Sequence, residues 1–207
     1  MLPVITIARQ YGSGGHEVGE RLAQKLNIPF YDKALIAMAA KQSGISPEVF
    51  ERADEKATSS LLYSMVMGGG GYGFGSRVPG LGDMPINDKL FLIQSDIIKK
   101  AAEEGPCVII GRCADYILRE HLNCFHVFIH ADKDARVKRI VMKELCEEKK
   151  APDFVTKKDK QRANYYNFYS NNRWDDLNNY DLTVNTSRFS IEQAVNLIAE
   201  AAGKLDK

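Results

Sequence analysis

A three-layer α/β/α fold around a five-stranded parallel sheet is what this 207-residue sequence predicts. Three observations carry that reading. Short, continuous runs rich in Val and Ile recur along the chain, as in strands buried on both faces. Segments of helical periodicity separate them, and strand–helix alternation builds a parallel sheet covered by helices. The first run also passes through a glycine-rich turn straight into an amphipathic helix, the local layout of a phosphate cradle.

The elements follow in order. Residues 4–8 are the first strand, and the helix after them places Val18, Leu22, Ala23 and Leu26 on one side. Residues 27–32 (NIPFYD) read as a turn and a short second strand. Residues 33–42 are helical, and a further helix starts at Ser46 as N-cap with Pro47 at its first position. Residues 68–83 hold eight of the sixteen glycines and read as a mobile loop, either a spacer or a flap over substrate. Periodicity returns in 87–104, with Leu90, Ile93, Ile97, Ile98 and Ala101 on one face. Residues 107–110 and 125–129 are the third and fourth strands, and a charged helix is expected over 132–149. Residues 180–185 form the fifth strand, and 190–202 a closing helix whose Ser190 and Gln193 suit a capping box. The stretch 149–179 differs in kind, being polar and basic at first, then rich in Tyr and Asn.

Composition removes several function classes. With a formal net charge of +1, no global field draws the chain to nucleic acid or to a membrane surface, so anion affinity has to come from local clusters of Arg and Lys. The start carries neither a basic leader nor a long apolar segment, and no apolar run approaches about 18 residues, so a cytoplasmic location is expected. Cys107, Cys113, Cys124 and Cys146 include no CxxC pair and no metal-type spacing, so reduced structural thiols are expected. The sequence leaves room for a homo-oligomer.

Three readings compete for the glycine turn. A dinucleotide fingerprint needs a glycine three residues after Gly14, where Glu17 stands. A Walker loop ending at Gly14 would put its lysine at Gly15 and its Ser/Thr at His16. The concave backbone survives those changes, but the lysine's contact with the transferring phosphate and the hydroxyl's contact with magnesium do not. A bare turn without ligand is the third. On the phosphate reading, Gly12, Ser13, Gly14, Gly15, His16 and Glu17 hold the donor, and Gly15→Lys is expected to tighten ATP binding.

The runs ITIARQYGSGGHEVGERLAQKLNIPFYDKALI, VIIGRCADYIL and NYDLTVNTSRFSIEQAVNLI resemble the cytidylate kinase-like family, an offshoot of the P-loop nucleoside monophosphate kinases. The resemblance spans nearly the whole chain and is weakest over 58–85. The loop RQYGSGG departs from the GxxGxGKG loop of established cytidylate kinases. The implied organisation is a single P-loop kinase-like domain over 1–207, of nucleoside monophosphate kinase type, with the glycine-rich insertion 68–83 and a helical lid over about 139–175.

Charges that could replace the missing lysine follow. Arg9 leaves the first strand just before the loop, and His16 stands at the helix start, where a neutral ring can donate to phosphate. The resemblance places Arg112 at the arginine of an acceptor-binding GRD element, with the aspartate displaced two positions to Asp115. It places Arg136 and Arg139 where the lid begins, and matches Asp159 and Arg162 to a D-x-x-R pair facing the acceptor. Asp32, closing the second strand, takes the place of an acid that faces magnesium or the acceptor. The aromatic group Tyr165, Tyr166, Phe168, Tyr169 and Trp174 suits either a folded lid core or a base-stacking face.

The expected function is therefore phosphotransfer from ATP with Mg2+ to a small nucleotide, CMP or dCMP by resemblance. Arg9, Arg136 and Arg139 would be catalytic. The alternative is a nucleotide- or phosphate-binding protein of the same fold without efficient transfer. An NAD-type oxidoreductase is disfavoured by Glu17 and by the basic segment.

Overall fold

Strand β1, Val4–Arg9, is the centre of the molecule because its residues are apolar on both faces. Ile5 and Ile7 are fully buried on one side, while Val4 and Ala8 face the other. A computed structural model describes residues 2–32, 86–143, 145 and 147–205. The expected helices at 33–42 and from Ser46, and the glycine-rich segment 68–83, lie outside the described residues.

Helix α1 is Gly15–Leu26 and strand β2 is Phe30–Tyr31. Helix α2 is Ile86–Glu104, β3 is Val108–Ile110 and the short helix α3 is Ala114–Ile117. Strand β4, Cys124–His130, leads to α4, Lys133–Met142, and then to α5, Ala151–Ser170. Strand β5 is Leu182–Asn185 and helix α6 is Ile191–Gly203. The Ser190–Gln193 capping box forms at the start of α6 as expected.

The sheet has the order β2-β3-β1-β4-β5 and every pairing is parallel. Ile7 pairs with Ile110 on β3 and with Val127 on β4, so the carboxyl ends of these strands rise together. One face packs Val18 and Leu22 of α1 and Val195 and Ile198 of α6 against Ile5, Ile7, Val127 and Ile129. The other packs Leu90 and Ile98 of α2, Ile117 of α3 and Tyr165 and Tyr166 of α5 against Val4, Ala8 and Ile109. Two apolar faces and two helical layers are the sandwich that the continuous strand runs imply. Each fully buried Ile is worth about 1.5–3 kcal/mol relative to an exposed one.

One boundary needs correction. The helix expected over 132–149 ends at Met142, and Glu148–Lys150 is a separate 3-10 turn. Pro152 marks where the next helix begins. It lacks an amide and fits the first turn of a helix, so it starts α5 instead of sitting inside a longer α4. The aromatic group spans the end of α5 and the residues just after it. Tyr165, Tyr166 and Trp174 belong to the core, and Tyr169 stacks on Phe91 at 4.1 Å.

Cys107, Cys113 and Cys124 are free thiols, and burial pushes Cys107 and Cys124 up to about 12. Such thiols stay protonated and inert at neutral pH. Cys146 lies outside the described residues. Among the described residues no helix is long and apolar enough to cross a membrane.

Candidate functional site

The connection after β1 runs on one face toward β2, while the chain after β3 returns on the other face toward β4. The carboxyl ends of β1 and β3 therefore form a switch point, where open α/β sheets bind ligands. Two glycine-containing turns meet there. Residues 10–14 leave β1, and Gly111, Arg112 and Cys113 leave β3.

The first turn is shaped to present amides. Gly14 is the N-cap of α1 at φ 81°, and no side chain caps the helix. The first helical bond runs from the Val18 amide to the Gly14 carbonyl, so the amides of Gly15, His16 and Glu17 precede the ladder. Together with the helix dipole, they suit an anion. They open onto a groove of about 800 Å³ that includes Arg9, Gly12, His16, Arg139 and Arg162 in its lining. Ser13 is turned away. It is fully buried, its hydroxyl donates to the Gln10 carbonyl at 2.8 Å, and its own carbonyl accepts from Thr186 Oγ1 at 2.6 Å.

Arg9 crosses between the two turns. A β-carbon on Gly15 would lie 2.6 Å from Arg9 Cβ and 2.9 Å from its Cγ. At the other end, the Arg9 guanidinium occupies the space that a β-carbon on Gly111 would need. The stem of Arg9 requires glycine at position 15, whereas at Gly111 the neighbour is the movable end of the same side chain and the φ of 68° is what favours glycine. The expectation that Gly15→Lys would complete the loop is corrected by this packing, since any side chain there drives into Arg9.

The other arginines hold the loop's carbonyls. Arg136 donates from Nε to Ala131 O at 3.0 Å and from Nη1 to Tyr11 O at 3.2 Å, and it pairs with Asp159. Asp159 Oδ1 in turn accepts from the Tyr11 amide at 2.7 Å. Arg139 Nη1 donates to Gly12 O at 2.6 Å, and Arg162 Nη1 donates to Arg9 O at 2.9 Å. The Arg162 guanidinium also lies 5.2 Å from the centre of the Tyr11 ring, whose edge meets Phe154. So α4 and α5 grip the backbone of residues 9–12 from one side. Arg139 and Arg162 line the groove, whereas Arg136 and Asp159 do not.

A second, small cavity of about 50 Å³ lies at the end of β3, lined by Arg9, Arg112, Asp115, Arg162, Tyr166 and Trp174 among others. It shares Arg9 and Arg162 with the groove. Three successive residues here are left-handed: Gly111 at φ 68°, Arg112 at φ 59° and Cys113 at φ 55°. Strain of this kind in a non-glycine residue costs of order 1 kcal/mol and concentrates at functional sites. Asp115 is buried on α3 and accepts from Tyr166 Oη at 2.6 Å. Burial raises its carboxyl to about 6, against the lowering effect of that hydrogen bond. Burial likewise pushes the Tyr165 hydroxyl up, with Arg112 pulling against it.

His16 lines the groove and meets Asp32, which does not, Nε2 to Oδ2 at 3.2 Å. Glu17 is held by Arg21 at 2.7 Å and Lys143 at 3.5 Å, which neutralises an acid beside the anion site. The structure thus brings Arg9, Arg112, Asp115 and Arg162 around one cavity and Gly12, Gly14, Gly15, His16 and Arg139 around the groove. Sequence reasoning missed Tyr11 and Phe154, whose polar and ring contacts join distant segments, and it did not foresee that Tyr166 donates to Asp115. Arg112 was found from its place just past the end of the buried strand 107–110 and from the GRD resemblance.

The family model of the cytidylate kinase-like family matches residues 4–188. No curated protein matches the chain. Among solved structures, an uncharacterized protein from Eubacterium ventriosum ATCC 27560 is similar at 28% identity and TM-score 0.71, covering 98% of this chain and 99% of its own. Shikimate kinase from Bacteroides thetaiotaomicron is similar at 16% identity and TM-score 0.57, covering 98% and 99%. A gluconokinase from Sinorhizobium meliloti 1021 gives 14% and 0.53, covering 97% and 94%. The last two likenesses establish a P-loop kinase fold and nothing finer. With its sheet order, its phosphate-type loop and a family match across most of its length, the chain belongs to the cytidylate kinase-like family.

Proposed function

We propose that the protein is an ATP-dependent phosphotransferase acting on a small nucleotide, with CMP or dCMP the acceptor that its family membership favours. The observation that carries this reading is the path of Arg9. Its stem lies against Gly15 in the donor loop and its guanidinium against Gly111 at the acceptor side, so one cation lines both the groove and the cavity. Phosphoryl transfer asks for positive charge around oxygens that share negative charge, held in line between donor and acceptor. Arg9 meets that need from the end of β1, in place of the lysine that a Walker loop would carry at position 15.

The remaining roles follow from placement. The amides of Gly12 and Gly14 to Glu17 cradle the donor phosphates, and Arg139 stands over that cradle. Arg112 and Arg162 face the acceptor, with Asp115 as a hydrogen-bonding partner in the same cavity. Arg136 and Asp159 position the loop. Asp32 beside His16 offers a carboxylate and an imidazole at the groove's edge, a donor set that fits a divalent cation carried in with phosphate. Such a cation supplies charge neutralisation at the β- and γ-oxygens.

A coupled assay with ATP, a divalent cation and a panel of nucleoside monophosphates tests the reading. Turnover with one acceptor class is expected. Nucleotide binding without turnover on any acceptor favours the second reading, a binding protein, for which the closed position at Gly15 speaks.

A further inference from the structure

We infer that Gln94 and Tyr165 are positioning residues that fix the direction of the Arg112 guanidinium in the small cavity and so tune that site for an anionic acceptor. The inference deepens the phosphotransferase reading and rests on it for Arg112 as an acceptor-side residue. Its own support is a polar line through the apolar contact between α2 and α5. Tyr165 Oη donates to Gln94 Oε1 at 3.3 Å, and both residues are buried. The same hydroxyl accepts a hydrogen bond from Arg112, which lines the cavity together with Tyr165. A phenol carries one proton and acceptor lone pairs, so it can accept from a guanidinium while it donates to an amide oxygen. Burial pushes the Tyr165 hydroxyl up, so it keeps the proton that this arrangement needs.

Two further features point the same way. The Tyr165 ring is itself held, because it lies 4.9 Å from the ring of Tyr169, which stacks on Phe91 at 4.1 Å and donates to Asp88 Oδ1 at 3.1 Å. Asp88, Phe91 and Gln94 follow one another at intervals of three on α2, so one face of that helix fixes both tyrosines. The next residue of α5, Tyr166, donates to Asp115 Oδ2 at 2.6 Å. Successive tyrosines of one helix thus hold Arg112 and Asp115, which both line the cavity. A buried polar pair costs stability unless it is satisfied, and apolar residues of similar shape would pack between α2 and α5 at least as well. Orienting Arg112 gives the pair a use. The Arg112 backbone is left-handed at φ 59°, so a fixed turn and a fixed side-chain partner restrict the guanidinium from both ends.

The test is nuclear magnetic resonance of the full chain with isotope-labelled arginine, in wild type, Tyr165→Phe, Gln94→Met and Gln94→Glu. The Arg112 signal is identified by its absence from Arg112→Ala. In wild type the Arg112 guanidinium is expected to rotate slowly about its Nε–Cζ bond. Rotation should be about tenfold faster in Tyr165→Phe and Gln94→Met, and stay slow in Gln94→Glu, whose side chain still accepts from Tyr165. Tyr165→Phe removes one oxygen and keeps the ring, so the packing survives. Calorimetry with CMP should show about tenfold weaker binding in Tyr165→Phe and Gln94→Met but not in Gln94→Glu, while a non-hydrolysable ATP analogue binds all four proteins alike. Unchanged rotation in Tyr165→Phe, a Gln94→Glu protein that behaves like Gln94→Met, or equal losses of analogue and CMP binding overturn the inference. CMP binding that is lost in Arg112→Ala but kept in Tyr165→Phe removes only the positioning role. Full CMP binding by Arg112→Ala, or none by wild type, removes the acceptor reading of Arg112 and leaves the rotation rates to decide the positioning.

Discussion

The Tyr11 amide donates to Asp159 Oδ1 at 2.7 Å, joining the donor loop to α5 across 148 positions of sequence. The other oxygen of Asp159 pairs with Arg136, which itself donates to the Tyr11 carbonyl at 3.2 Å. One carboxylate and one guanidinium thus satisfy both backbone polar groups of a single loop residue. The glycine turn is thereby held from the side of α4 and α5.

Removing that carboxylate leaves a guanidinium only 9% exposed without its charge partner. Asp159→Ala is expected to destabilise the protein by about 2–3 kcal/mol, somewhat less than a fully buried pair because Asp159 keeps some solvent contact. Asp159→Asn, which still accepts from Tyr11, should cost less. Denaturant unfolding checks the order, and nucleotide affinity should fall in parallel. Equal stability of all three proteins would refute the strut.

Gly15→Ala places a methyl group 2.6 Å from Arg9 Cβ. Expect destabilisation of about 1–3 kcal/mol from overpacking and a larger proportional loss of nucleotide binding, with Gly15→Lys worse. Removing both the Cβ and the Cγ in the double variant Gly15→Ala/Arg9→Gly should leave a protein more stable than the sum of the two single changes predicts, without recovery of binding. A double-mutant cycle by thermal unfolding measures this, and strict additivity of the two changes sinks the argument.

Arg112 sits at φ 59°, a conformation that costs a side chain and suits glycine. Arg112→Gly should therefore be more stable than Arg112→Ala by about 1 kcal/mol, the reverse of the usual preference at ordinary φ. Acceptor binding should be lost in both. A comparison of melting temperatures with acceptor titrations decides it, and retained affinity in Arg112→Ala would exclude Arg112 from the acceptor site.

Asp115 has a folded-state carboxyl raised to about 6. A raised acid binds its proton more tightly when folded than when unfolded, so its contribution to stability falls as pH rises from about 4 to about 6 and stays low above that. The penalty amounts to about 3 kcal/mol at neutral pH by linkage. Asp115→Asn keeps an acceptor for Tyr166 and should flatten the pH dependence of unfolding between pH 4 and 7. An unchanged slope would show that Asp115 does not titrate in that window.

Much of the architecture is legible in residue order. Residues 4–8, 107–110 and 125–129 read as buried parallel strands because they are short and mostly Val, Ile and Phe, and the glycine turn reads as a helix entry. The helix boundary at Met142 was not legible, since the charged run continues past it and only Pro152 marks the new start. Candidate residues were found by type and position. Their partners were not, because Arg136, Arg139 and Arg162 can address a phosphate or a backbone carbonyl with the same donors.

Residue order by itself determined the layers, the strand succession and the turn that offers its amides to an anion, since hydrophobic period and glycine placement are local properties. Only the tertiary structure decided what Arg9 does. A loop without its lysine reads as incomplete until Gly15 and Gly111 are brought within reach of one side chain from the end of β1. Close approach between residues 9, 15 and 111 is a property of the parallel sheet, which aligns the ends of β1 and β3, and no local pattern encodes it.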